Sequence, residues 1–180
     1  AGLYGVAWWV LFRRPGMGSL LSTLEHELTH ALFALATFRT VTGLTTSWKS
    51  GGHVTFEGRA NWLILTAPYF FPTVSVAVMA LAMVTASQFH DTMGAVLGAT
   101  VAYHVTSTWR ETHPGQSDLQ RVSLPFACLF LPGANLLGYA SVIHFTWGGW
   151  IECRGFWTDS LERTLHMTSG LVQVARGLLA

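Results

Sequence analysis

Four stretches of the chain are apolar over lengths that suit a lipid bilayer better than a small protein core. Gly18–Phe38 is mostly apolar around one polar island, and its 21 residues, if helical, rise about 31 Å, close to the hydrocarbon thickness. Asn61–Ala86 and Thr92–Trp109 contain no charged residue. Val122–Trp147 is also uncharged but carries Pro125 and the Pro132-Gly133 pair, where interruptions are expected. A shorter apolar run, Leu3–Phe12, predicts a partial or interfacial helix. It precedes Arg13-Arg14, the reverse of a signal peptide's order, so no removable leader is expected.

Two segments follow other patterns. Residues 41–58 place β-branched residues on both sides of Ser50-Gly51-Gly52, which predicts a β-hairpin. Residues 158–180 gather Leu161, Leu165, Val172 and Leu179 on one side, with Glu162, Arg163 and Arg176 elsewhere, as in an amphipathic helix lying at an interface. The expected fold is an all-α polytopic membrane protein, one membrane domain over 1–180, with a small β-hairpin between its first two spans.

Composition agrees. Charged residues make up 11% of the chain against roughly 25% in an average soluble protein, too few to cover a hydrated surface. The net charge of +1 offers no polybasic footprint, so no nucleic-acid partner is expected. Trp48, Trp62, Trp109, Trp147 and Trp150 fall near span ends, as in an aromatic belt. Gly94 and Gly98 allow close helix packing. Cys128 and Cys153 suggest no disulfide framework, and Cys128, in an apolar run, is expected in the core. Five basic residues fall on each predicted side of the membrane, so the positive-inside rule does not choose an orientation.

The polar island in the first span reads His26-Glu27-Leu28-Thr29-His30. On a helix, residues four apart differ by about 40° of rotation, so His26 and His30 can reach one metal ion. Glu27 lies about 60° around from His30, beside the metal, where a general base would take a proton from water. Zinc suits imidazole ligands with an open fourth position. Three ionisable residues inside an apolar helix are costly, and by default they mark a functional site. Glu25 points about 140° away from His30 and could close a capping box with Ser22 if the helix starts late. A third ligand must come from elsewhere. Asp118, just before the last long span, is favoured, with Glu111, His113 and His104 as competitors.

The run Glu25–Leu44 (EHELTHALFALATFRTVTGL), followed by SGGHVTF and then ANWLILTAPYFFP, resembles the site-2 protease family of intramembrane zinc metalloproteases. The likeness extends from about Ser19 to about Asn135. It implies His26, His30 and Asp118 as zinc ligands, Glu27 as the base, and a hairpin edge that receives an extended substrate. His53 in that hairpin would then polarise the scissile carbonyl. The chain departs from the family pattern in two places. Thr29 stands where a Gly usually precedes the second His, and Asp118 sits in Gln116-Ser117-Asp118-Leu119 rather than in an Asn-Pro-rich stretch. The function expected from these residues is hydrolysis of membrane-associated peptides or proteins by a multi-pass enzyme, cell-membrane by expectation. The alternatives are a non-catalytic subunit packing with membrane-protein partners, and a soluble zinc hydrolase, which the uncharged run 61–86 disfavours.

Overall fold

A computed structural model describes residues 17–47 and 51–179. The Leu3–Phe12 run and the hairpin tip, Trp48 included, lie outside the described residues. Helix α1 spans Met17–Ala36 and leads into a two-stranded antiparallel sheet of β1 (Val41–Ser47) and β2 (Gly51–Phe56). Then come α2 (Trp62–Thr66), a 3-10 turn at Ala67–Tyr69, α3 (Thr73–Val84), a second 3-10 turn at Ser87–Phe89, α4 (His90–Glu111), α5 (Ser117–Val122) and α6 (Leu124–Leu179). The chain is thus mainly helical with a small hairpin after the first described helix.

Helix α1 ends because Phe38 takes a left-handed conformation, φ 60°. Its N–H then reaches Leu35 O at 3.0 Å while Arg39 N–H reaches Ala34 O at 2.8 Å, satisfying carbonyls of the last turn. The chain reverses, and the hairpin, in the register Leu44↔Val54 and Thr46↔Gly52, packs back on α1.

The uncharged run 61–86 is expected as one span, but the structure bends it by 77° between Trp62–Tyr69 and Thr73–Val84. The cause is local. Asn61 caps α2, its side chain accepting from Ile64 N–H at 2.8 Å. Four residues on, Pro68 brings no N–H, so the Ile64 carbonyl has no donor from its own helix. Pro72 then starts α3, where a missing N–H costs little.

Pro125 and Pro132 do not interrupt the last long helix as expected. Pro125 sits in the first turn of α6, where no intrahelical donor is required, and the helix continues past Pro132. The break comes at Gly148 (φ −148°, ψ 24°) and Gly149 (φ 67°, ψ −150°), the second of which only glycine adopts readily. The segment expected as a separate helix from 158 is the later part of the helix that resumes after this break, and it is exposed along nearly all its length.

Two buried clusters hold the helices together. Ala82, Leu97, Val142, Phe145 and Cys153 join α3, α4 and α6. Tyr69, Leu119, Ala127 and Leu131 join the α2–α3 turn, α5 and α6 beneath the polar island. Cys128, expected in the core, is exposed instead, because the turn of α6 that buries Ala127 and Leu131 points it outward. Leu21, Leu24, Leu28, Leu32 and Leu35 form a stripe along α1, the first three lining a cleft against α3 and α4, and all are more than a third exposed. So are Trp62, Trp109, Trp147 and Trp150. An apolar surface on this scale marks contact with lipid or protein. Among the described residues, the helix Leu124–Leu178 is by itself long and apolar enough to cross a bilayer, and the bent pair reaches that measure together. Helices α1 and α4 match the expected spans 18–38 and 92–109 in position but are more polar.

Candidate metal centre

Helix α1 is continuous from Met17, so the His-Glu-Leu-Thr-His motif lies in regular helix and its two imidazoles project to the same side, ring centroids 4.8 Å apart. The bend in the next element creates their surroundings. His30 Nδ1 donates to the Ile64 carbonyl, 2.8 Å away, the same carbonyl that Pro68 leaves without an intrahelical donor. A carbonyl only accepts, so the proton of His30 is on Nδ1 and the lone pair of Nε2 faces inward. On the other side, His26 Nδ1 lies 3.0 Å from Glu111 Oε2 at the end of α4. The Tyr69 ring, itself fully buried, meets His26 edge-on at 5.3 Å.

Asp118 arrives from α5. Its neighbour Leu119 is buried in the cluster with Tyr69, which fixes the rotation of this short helix, and Gln120 Nε2 donates to Pro114 O at 2.8 Å across the preceding turn. The carboxylate comes to 3.2 Å from His30 Nε2 and 3.7 Å from His26 Nε2, and the two Nε2 atoms are 3.2 Å apart.

These separations say what the cluster can hold. With both rings neutral and their outer nitrogens protonated, the inner atoms are two imidazole lone pairs and a carboxylate oxygen; a doubly protonated ring would instead donate its Nε2–H to Asp118. Three acceptors at such distances repel one another unless a cation lies between them. Ligands on a tetrahedral zinc ion, bound at about 2.0–2.1 Å, lie about 3.3–3.4 Å from each other, close to the distances present. The donor set and its spacing therefore fit zinc with three protein ligands and one open position.

Glu27, one residue past His26, is partly exposed and packs against the hairpin. A Cβ added at Gly52 would collide with Glu27 Cγ and meet Thr23 Cγ2 at 2.7 Å, so only glycine lets β2 lie this close to the motif. Gly52→Ala is expected to push the strand and the Glu27 side chain apart. Faster hydrogen exchange at the β2 amides than in the wild type reads that displacement.

The structure does not bring His53 to this group. Successive strand residues face opposite sides. Gly52 and Val54 face α1, so His53 points outward and is exposed. Glu25 is no capping-box partner either, because α1 begins eight residues before it. It is buried, its Oε1 accepts the Val74 N–H at 3.1 Å, and it thereby caps α3, with His104 Nδ1 3.9 Å away. His104 is a buried packing histidine, 3.4 Å from Thr108 Oγ1 and edge-on to Tyr139. His113 is exposed in the turn before α5 and accepts the Gly115 N–H. Thr29, unusual beside the second His, is buried and shares a hydrogen bond with Thr73 Oγ1, tying α1 to the start of α3.

Sequence reasoning did not assign Glu111 to its place on the outer nitrogen of His26. The available signal was a carboxylate directly after an uncharged helical run, and it read as a competing ligand.

A family model described as Peptidase M50B-like matches residues 3–146. No curated protein matches the chain, and no solved structure does.

Proposed function

The chain belongs to the Peptidase M50B-like family, a family of membrane-embedded metallopeptidases, and on that footing we propose that it is a zinc-dependent intramembrane peptidase acting on membrane-associated peptides or proteins. The observation that carries the reading is the convergence of His26 Nε2, His30 Nε2 and an Asp118 carboxylate oxygen, three atoms able to ligate one ion, with Glu27 next to His26 on the same helix.

In this reading the three side chains hold the ion, and their fixed outer contacts keep the two imidazoles from rotating away. When bound, zinc supplies Lewis acidity, bringing the pKa of a coordinated water towards about 7 and polarising a carbonyl. Glu27 accepts a proton from the attacking water as its oxygen bonds to the scissile carbonyl carbon. It then returns the proton to the amide nitrogen as the C–N bond breaks. The substrate must be extended there, because a helical peptide bond is shielded by its own hydrogen bonds. The hairpin serves that need: β2 lies against Glu27 through Gly52, and among the described residues the two-stranded sheet leaves an edge whose N–H and C=O groups face an extended segment. Helices α1 and α4, the bent pair and α6 are membrane elements in this account. The helix after Gly149 lies along the interface with its Trp157, Leu161 and Leu165 side inward.

The sequence also allowed a subunit without catalysis. A subunit kept only for packing would have no need of a group of two imidazoles and a carboxylate able to ligate one ion, nor of a strand that only glycine lets approach Glu27.

Detergent-purified protein is expected to cleave a transmembrane peptide substrate, to lose that activity on chelation, and to regain it with stoichiometric zinc. Activity unaffected by exhaustive chelation would overturn the proposal.

A further inference from the structure

Helix α4 and the short helix α5 place two carboxylates on one imidazole. Glu111, the last residue of α4, reaches the outer nitrogen of His26 at 3.0 Å. Seven residues later, Asp118 lies 3.7 Å from the inner nitrogen. The His26 side chain is mostly buried between them, and Glu111 is about a quarter exposed.

Position makes this contact informative. The first turn of a helix favours a carboxylate and the last turn disfavours one, since unpaired carbonyls gather there. Glu111 occupies that unfavourable end, and its oxygen meets a ring nitrogen 85 residues away in sequence. His30 receives the equivalent restraint from a backbone carbonyl. His26 lies one turn earlier on α1, beyond reach of that carbonyl, and takes it from Glu111.

We propose that Glu111 is the positioning residue of the metal centre. It accepts the Nδ1–H of His26, fixes the ring's tautomer and rotation, and so presents the Nε2 lone pair to the ion. The proposal rests on the zinc reading above. Carboxylates placed behind a ligating histidine typically contribute about 10–100-fold to metal affinity. Glu111 acts through His26 and has no part in the bond-making steps.

The test is zinc affinity of the full chain in detergent, measured by competition with a chromophoric chelator, for the wild type, Glu111→Ala, Glu111→Gln and His30→Ala. Glu111→Ala should bind zinc about 10–100-fold more weakly than the wild type. Glu111→Gln should recover a substantial part of the loss, since its amide oxygen still accepts from Nδ1–H. Equal affinity in Glu111→Ala and the wild type would overturn the positioning role and leave the zinc site standing. So would a Gln variant as weak as the Ala variant. A wild type that binds no better than His30→Ala would overturn the zinc reading and this inference with it. A second measurement guards against a misfolded Ala variant. In the zinc-loaded wild type with 15N-labelled histidine, His26 should show a protonated Nδ1 and a metal-bound Nε2. The opposite assignment would overturn the proposal.

Discussion

Glu27→Gln is expected to keep one zinc per chain and to lose peptide hydrolysis by a factor of about 10²–10⁴, the usual contribution of a placed general base. The substitution preserves shape, so the contact with Gly52 and the approach of β2 survive. The amide oxygen is too weak a base to take the proton from water, and a neutral amide cannot pass one on to the leaving nitrogen. Because Glu27 is not among the three converging groups, metal content should not change. Metal analysis and single-turnover cleavage on the same preparation check both halves. Turnover near wild type in a zinc-replete Glu27→Gln protein would remove the base from the account.

Asp118→Ala should act on the other half of the site. With two imidazoles left, zinc affinity is expected to fall by more than about 100-fold, beyond the range for an outer carboxylate such as Glu111. Activity should fall with it and return only partly at high zinc. The fold should tolerate the change better than the metal does, since α5 is held by Leu119 and by Gln120 on Pro114 O, neither of which is altered. Chelator competition read beside thermal unfolding separates the two effects. Wild-type affinity in Asp118→Ala would exclude it as a ligand.

The chemistry of the site was more legible in the sequence than its architecture. His26, Glu27 and His30 stand in one helical turn, so helix geometry alone faces them together. The hairpin was visible in the β-branched residues around Ser50-Gly51-Gly52, and its strands fall within the predicted 41–58. The resemblance to site-2 proteases had its counterpart in the family match, and Asp118 comes to the imidazoles although no local motif marks it.

What the sequence hid depends on contacts between distant elements. Glu25 read as a local cap, but its partner is the Val74 N–H, 49 residues on, and only the packing of α3 against α1 brings them together. The role of Pro68 emerges only once a histidine from another helix meets the carbonyl it leaves free. His53 read as a candidate because it lies on the hairpin whose edge the resemblance assigns to substrate. Strand alternation turns it outward and gives the inward place to Gly52. Prolines were also overweighted: Pro125 and Pro132 sit within α6, and the chain breaks instead at Gly148-Gly149, where a left-handed backbone is available.

The central claim is that two imidazoles and one carboxylate hold zinc, and X-ray absorption at the zinc edge of the purified protein tests it most directly. The account predicts one zinc per chain in a shell of nitrogen and oxygen only, at about 2.0–2.1 Å, with the outer-shell scattering of two imidazoles. A sulfur shell near 2.3 Å, a shell without histidine scattering, or no zinc in an active preparation would contradict it.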